Sequence, residues 1–265
     1  MGIASFDPVL DFPLERLLEL ARDAGETILT IYQDKGLMSR FTLKQDNSPL
    51  TLADRASHAT ICRGLHALTP DIPILSEEGA AFPYEIRRHW ERFWCIDPLD
   101  GTKEFLAGNG EFCVNIALIQ RQMPVLGIIY IPVSQSLYYG SLVTGGWKIT
   151  PGHGQVRIQT DRQSKQWIAV GSRSHASPEE AEILNRYPVG KHISAGSSLK
   201  FCLIADGSAH FYCRYGPTME WDTAAGHAIV QYSGGDFSML SGEPFLYNKE
   251  SLVNGPFVCA ADRTF

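Results

Sequence analysis

At 265 residues the chain is long enough for one large domain or two small ones at about 150 residues each, which excludes a peptide, a disulfide-stapled miniprotein or a repeat array. Hydrophobic residues at 44% and charged residues at 20% match a soluble globular chain rather than a disordered one. The 29 Asp and Glu against 23 Lys and Arg leave a net charge of -6, so a nucleic-acid polymer meets no overall basic footprint.

Leu14, Leu17, Leu18, Ala21, Ile28 and Ile31 recur at helical spacing after Pro13, which predicts an amphipathic helix over residues 14–32. Phe41-Thr42-Leu43 is a short strand, and Asp46-Asn47-Ser48-Pro49 a turn before Thr51, which caps a helix running to about Leu68. Thr69-Pro70 stops it. Ile72 to Ser76 and Phe93 to Ile96 are short apolar strands, and each runs directly into acids: Glu77-Glu78-Gly79 and Asp97-Pro98-Leu99-Asp100-Gly101. Phe112 to Ile119, Val125 to Ile131, Leu137 to Tyr139 and Trp147 to Ile149 predict an antiparallel meander broken at Gln122-Met123-Pro124, Pro132 and Gly145-Gly146. The polar stretch 151–166 is the expected seam between an N-terminal half, 1–150, and a C-terminal half, 151–265, of one compact catalytic unit. The second half restarts with a strand at Trp167 to Val170 and a helix opened by Ser177-Pro178-Glu179-Glu180 and ending near Tyr187. A helix from Ser197 to Ala205, a strand from Ala209 to Cys213 and a helix from Trp221 to Tyr232, ended by Gly234-Gly235, follow. Strands and helices in both halves predict an α+β layered sandwich.

The six cysteines, Cys62, Cys95, Cys113, Cys202, Cys213 and Cys259, form no CxxC pair and sit mostly among apolar neighbours. Free buried thiols in a reducing cytoplasm are expected. Met1 to Pro13 carries no cation and no apolar core, so no signal peptide is expected. The longest apolar run, Val125 to Val133, falls short of the roughly 18 residues of a spanning helix. Any membrane contact would be peripheral.

Three acidic segments recur far apart in the chain: Glu77-Glu78, Asp97 with Asp100, and Asp222. Each has a local structural role available, since Asp-Pro and Asp-Gly form turns and Asp222 can cap a helix. Four carboxylates at strand and helix ends converge only if cations neutralise their repulsion. Hard oxygen donors without a Cys/His set point to Mg²⁺. Gly101 lets the backbone approach a ligand, and the amides of Gly101 and Thr102 could open a helix toward an anion. A phosphate held there could be attacked by a metal-polarised water oriented by Glu77 and the Thr102 hydroxyl, with no covalent nucleophile.

In chain order, Ser76-Glu77-Glu78-Gly79, Asp97-Pro98-Leu99-Asp100-Gly101-Thr102 and Trp221-Asp222-Thr223-Ala224-Ala225-Gly226 resemble the three signature segments of the lithium-sensitive, Mg²⁺-dependent inositol monophosphatase superfamily. Thr102-Lys103-Glu104-Phe105, the Asp46–Pro49 turn, Ser172-Arg173-Ser174-His175 and Gly196-Ser197-Ser198-Leu199-Lys200-Phe201 are similar to its CysQ-type 3'(2'),5'-bisphosphate nucleotidases. The resemblance runs from about Leu14 to Gly255. It implies an α/β/α/β/α sandwich and a cytoplasmic enzyme of sulfur assimilation, with contact at the inner face of the inner membrane left open.

The resemblance also implies roles. Two or three Mg²⁺ would bind, the first on Glu77, Asp97 and the Leu99 carbonyl, the second on Asp97, Asp100 and Asp222. Lithium would inhibit at the second position. Glu77 is preferred to Glu78 as the first acid of the family pattern. Asp54 matches a residue that supports the nucleophilic water and sometimes a third ion; a solvated helix-face acid is its plainer reading. Glu77, Leu99, Asp100, Gly101, Thr102 and Asp222 would also touch the substrate. Ser197, Ser198, Lys200 and Arg214 suit a second phosphate, and His175 would pack against the base. The implied reaction is hydrolysis of adenosine 3',5'-bisphosphate (PAP) to AMP, with the 3'-phosphate of PAPS, giving APS, as a second target. The alternatives are an inositol or sugar-phosphate phosphatase on the same scaffold and a non-catalytic Mg²⁺/nucleotide-binding regulator. Oligomeric state is not legible in the residues.

Overall fold

The computed structural model describes residues 12–44, 48–173 and 177–262. Leu14, Leu17, Leu18, Ala21, Ala24 and Ile28 bury one face of α1 (Leu14–Gln33), as their spacing predicts. After α2 (Lys35–Met38), β1 (Phe41–Leu43) pairs antiparallel with β2 (Pro49–Thr51), and the turn predicted at 46–49 lies partly outside the described residues. α3 (Leu52–Leu68) starts at a capping box: the Thr51 hydroxyl accepts from the Asp54 amide while the Asp54 carboxylate accepts from the Thr51 amide at 2.7 Å.

The chain continues through β3 (Ile74–Ser76), α4 (Tyr84–Arg87), β4 (Arg92–Asp100), α5 (Thr102–Leu106), β5 (Cys113–Gln120) and β6 (Met123–Ile131). Next come β7 (Ser136–Ser141), β8 (Gly145–Thr150) and β9 (Gly154–Arg157), and β3 to β9 make one seven-stranded sheet in sequence order. The turn after β5 is Arg121-Gln122, both at positive φ; Met123 and Pro124, predicted as breakers, belong to β6, where a register shift beside Ile119 accommodates the proline. The predicted seam at 151–166 holds β9, which pairs with β8, so the sheet extends beyond residue 150.

The remaining elements are β10 (Trp167–Ser172), α6 (Pro178–Leu184), β11 (Val189–Ala195), α7 (Leu199–Ala205), β12 (Phe211–Arg214), β13 (Thr218–Met219), α8 (Glu220–Tyr232), β14 (Asp236–Met239), β15 (Val253–Asn254) and β16 (Phe257–Ala260). A five-stranded sheet runs in the order β11-β10-β12-β16-β14, with the late strand β16 inside it.

Strict alternation assigns the faces of the first sheet. Trp94, Ile96, Val114, Ile116 and Leu118 pack with α1 and α3, whereas Phe93, Cys95, Cys113, Ala117 and Ile119 pack with α7, α8 and the second sheet. Both faces are covered, which is why these strands read as continuous apolar runs. Trp167, Ile183, Phe211 and Val258 form a third cluster between the second sheet and α6. The layers are therefore α1 and α3, the seven-stranded sheet, α7 and α8, the five-stranded sheet, and α6: an α+β sandwich of the predicted kind. All six cysteines are free and five are buried. Among the described residues no helix is long and apolar enough to cross a membrane.

Two glycines let α8 lie close on the sheet. A Cβ on Gly127 would strike the Ala225 carbonyl oxygen and sit 2.8 Å from Ala228 Cβ, and one on Gly140 would sit 3.0 Å from Ile229 Cα. Backbone cannot rotate aside as a side chain can. Gly127→Ala is expected to destabilise the fold by about 1–3 kcal/mol through overpacking. Chemical denaturation checks this, and an unchanged midpoint would show that α8 can lift without loss.

Candidate active site

Strands β3 and β4 run parallel and deliver their acids to one end of the sheet; the Glu77 amide, just past β3, donates to the Ile96 carbonyl at 3.2 Å. In a regular strand residues three apart face opposite sides. Here Asp97 pairs with Asn115 and Asp100 with Cys113, so three steps on β4 match two on β5. That bulge brings Asp97 and Asp100 to the same face. Gly101 follows at φ 92°, where a Cβ would stand 3.0 Å from the Glu111 carbonyl oxygen and 3.2 Å from Ser197 Cβ. α5 then opens at Thr102 with no side chain capping it. α8 brings Asp222, whose carboxylate accepts from the Met219 amide at 2.8 Å, so its capping role and its place at the site coexist.

A cleft of about 440 Å³ collects Glu77, Asp97, Leu99, Asp100, Gly101, Thr102, Ser197, Ser198, Lys200, Arg214 and Asp222 among its lining residues. Of the predicted site residues, Asp54 is not in that lining and His175 lies outside the described residues. Asp54 is 1% exposed, which corrects its reading as a solvated helix-face acid. One of its oxygens accepts from Thr51 Oγ1 at 2.5 Å and the other from Thr102 Oγ1 at 3.2 Å, placing it directly behind Thr102. Burial pushes its carboxyl up despite the Thr51 hydrogen bonds.

Asp97 is 2% exposed and accepts from the Leu99 amide at 3.0 Å. Burial first, then the charges of Glu77, Asp100 and Asp222, push its carboxyl well above the usual carboxylate range. Burial likewise raises Glu77 against the pull of Lys44, and Asp222 is raised by burial and by Asp100. The Glu77 and Asp97 carboxyl groups face one cleft, and the Glu77 charge raises Asp97 as a neighbouring acid does until a proton or a cation offsets the repulsion. Among the described residues no three His, Cys, Asp or Glu side chains close on one point as a finished cage. The donors lining the cleft are carboxylates, hydroxyls and carbonyls, without imidazole or thiol. That chemistry fits a hard divalent cation such as Mg²⁺.

Lys44 is a site residue the sequence did not single out. Its ammonium lies 2.6 Å from Glu77 and 2.5 Å from Glu78. Burial pulls this ammonium down, but the two glutamates hold it above its ordinary value. Only its position just before the Asp46–Pro49 turn could have flagged it. Asn115 is the second omission, a polar side chain inside the apolar strand Cys113–Gln120, and that mismatch was the available signal.

The serines predicted to meet a second phosphate have partners of their own. Ser197 Oγ and Ser198 Oγ donate to Asp100 Oδ2 at 2.8 and 2.6 Å. Lys200 is buried, donates to the carbonyls of Ser197 and Ala195 and lies over the Tyr212 ring at 5.4 Å. Burial lowers its ammonium pKa. Arg214, 8% exposed, stands 4.0 Å from Glu180.

Comparison with known proteins adds to this geometry. Residues 12–262 match the Inositol monophosphatase family, so the match takes in β16, which lies past the Gly255 limit of the resemblance drawn from sequence. The chain is 47% identical over 246 residues to the 3'(2'),5'-bisphosphate nucleotidase CysQ of Salmonella typhimurium, covering 92% of this chain and 98% of that protein. The crystal structure of CysQ from Bacteroides thetaiotaomicron, described as a bacterial member of the inositol monophosphatase family, is similar with a TM-score of 0.83 and 42% identity over 94% of this chain and 97% of that one. An IMPase of Thermotoga maritima shares the fold at a TM-score of 0.77 and 21% identity, with coverage of 94% and 91%.

Proposed function

The chain belongs to the inositol monophosphatase family, and we infer that it is a 3'(2'),5'-bisphosphate nucleotidase that converts PAP to AMP and phosphate, and PAPS to APS. The activity named for its CysQ relatives supports this. The observation that carries it is the composition of the cleft, in which four acids suited to cations share one lining with Lys200 and Arg214, suited to a further phosphate. A cytoplasmic location accords with six free thiols.

Glu77, Asp97 and the Leu99 carbonyl would hold one Mg²⁺, and Asp97, Asp100 and Asp222 a second. Asp54, whose Oδ1 accepts only from Thr102 Oγ1 among the described residues, keeps an acceptor site that a third ion would use. Bound there, the metal supplies Lewis-acid polarisation of a water and of the phosphoryl oxygens.

The protein's own groups do the positioning. Thr102 Oγ1 donates to Asp54 and keeps lone pairs free to accept from the attacking water, giving its proton a route toward the Asp54 carboxylate. Glu77, which also lines the cleft, would orient the same water. The water oxygen bonds to phosphorus as the bond to the ribose 3'-oxygen breaks, and that oxygen leaves as an alkoxide that takes a proton from solvent water entering the open cleft. Lys200 and Arg214 neutralise the 5'-phosphate and so select a bisphosphate.

Turnover of PAP and of inositol 1-phosphate, each with and without Mg²⁺, tests the reading. Mg²⁺-dependent preference for PAP is expected. Preference for inositol phosphate would overturn it, and binding of PAP without turnover would favour a regulator.

A further inference from the structure

Resting on the reading of the acids as a cation site, we propose that Asn115 is a positioning residue which, with Ser197 and Ser198, grips one oxygen of Asp100 and leaves the other facing the cation. Among the described residues every hydrogen bond to the Asp100 carboxylate falls on Oδ2: from Ser198 Oγ at 2.6 Å, Ser197 Oγ at 2.8 Å and Asn115 Nδ2 at 3.3 Å. A carboxylate oxygen with three donors around it has its lone pairs occupied, so the oxygen left to a cation would be Oδ1. The donors are ordered among themselves. Asn115 Nδ2 also donates to Ser198 Oγ at 2.8 Å, and the single serine hydrogen has Asp100 Oδ2 at 2.6 Å as its nearer acceptor, ahead of the Asp222 carbonyl at 3.2 Å.

Asn115 is 1% exposed, and its Oδ1 has no hydrogen-bond partner among the described residues. An apolar side chain would pack this strand without burying an unpaired carbonyl oxygen, so what the position retains is the amide donor. The β-bulge sets it opposite Asp97, from where it reaches both Asp100 and Ser198. Ser197 adopts a left-handed φ of 53°, unusual for a serine, which sets its Oγ 2.8 Å from Asp100 Oδ2 and 3.0 Å from the Asp100 carbonyl, the carboxylate being the nearer of the two acceptors for its single hydrogen. Asn115 comes from the seven-stranded sheet and the serines from the segment before α7, so the grip joins elements from both halves of the chain.

The test is the Mg²⁺ concentration giving half the maximal rise in melting temperature of the metal-stripped protein, which needs no turnover. Asn115→Ala is expected to raise that concentration about tenfold or more, the scale on which partners of metal ligands act, whereas a value within about threefold of wild type overturns the proposal. A merely structural role would lower the metal-free melting temperature and leave the Mg²⁺ midpoint in place. Ser198→Ala carries the same expectation and serves if Asn115→Ala does not fold. If Ser198→Ala instead raises KM for PAP at an unchanged Mg²⁺ midpoint, the serine serves the substrate and the grip is overturned. A wild-type protein with no Mg²⁺-dependent rise would refute the cation site itself, a separate and recognisable failure.

Discussion

Replacing Asp97 by asparagine is expected to lower kcat/KM for PAP by on the order of 10³-fold, the scale of losing a preorganised electrostatic contact, while leaving the metal-free protein at least as stable as wild type. The two effects share one cause. Asp97 is almost wholly buried among Glu77, Asp100 and Asp222, and burial and these neighbours push its carboxyl well above its ordinary range. Its negative charge is therefore unfavourable in the folded chain without a cation. Asparagine keeps the shape and the acceptor for the Leu99 amide at 3.0 Å while removing the repulsion. The same charge is what Asp97 would supply as a ligand shared by two cations. Steady-state kinetics with thermal melting, each with and without Mg²⁺, separates the outcomes. Activity close to wild type would refute the acid set as a metal site, and a collapse in metal-free stability would show that Asp97 holds the fold together.

Arg214→Ala is expected to reduce kcat/KM for PAP by about 10- to 100-fold, the equivalent of losing one hydrogen bond to a charged group, with little change for adenosine 3'-monophosphate. Arg214 lines the cleft with Lys200 and is held 4.0 Å from Glu180. Lys200 is committed to the carbonyls of Ser197 and Ala195, which makes Arg214 the better single probe of the second phosphate. Measuring both substrates on the same preparation isolates that contact. An equal fall for both would mean that the arginine acts through Glu180 on local structure and does not select the substrate.

Most of the regular structure was legible in the residues, for identifiable reasons. Leu14 to Ile28 bury one helical face, the Thr51 and Ser177 starts carry capping hydroxyls, and the apolar runs at 93–96 and 113–119 fill a strand covered on both sides. These are local signals, each contained within a few residues. The strands β2, β9, β11 and β13 to β16 were not foreseen, because short, partly polar segments become strands only through their partners, as β8 does for β9 and the distant β12 for β16. The same limit explains the site. Glu77, Asp97, Asp100 and Asp222 stand out as acids at element ends. Lys44 and Asn115 do not, since their significance lies in contacts to Glu77 and Asp100.

By itself, then, the sequence determined the layered α+β class, the three acidic segments and the kinship they carry, because periodicity, capping and residue chemistry are written locally. Only the tertiary structure decided which oxygen faces where. One extra residue in β4 turns Asp97 and Asp100 to the same side, and the packing of two halves sets Ser197 and Ser198 on Asp100 and Asp54 behind Thr102. Register and long-range approach fix those partners, and neither is encoded in the few residues around any one of them.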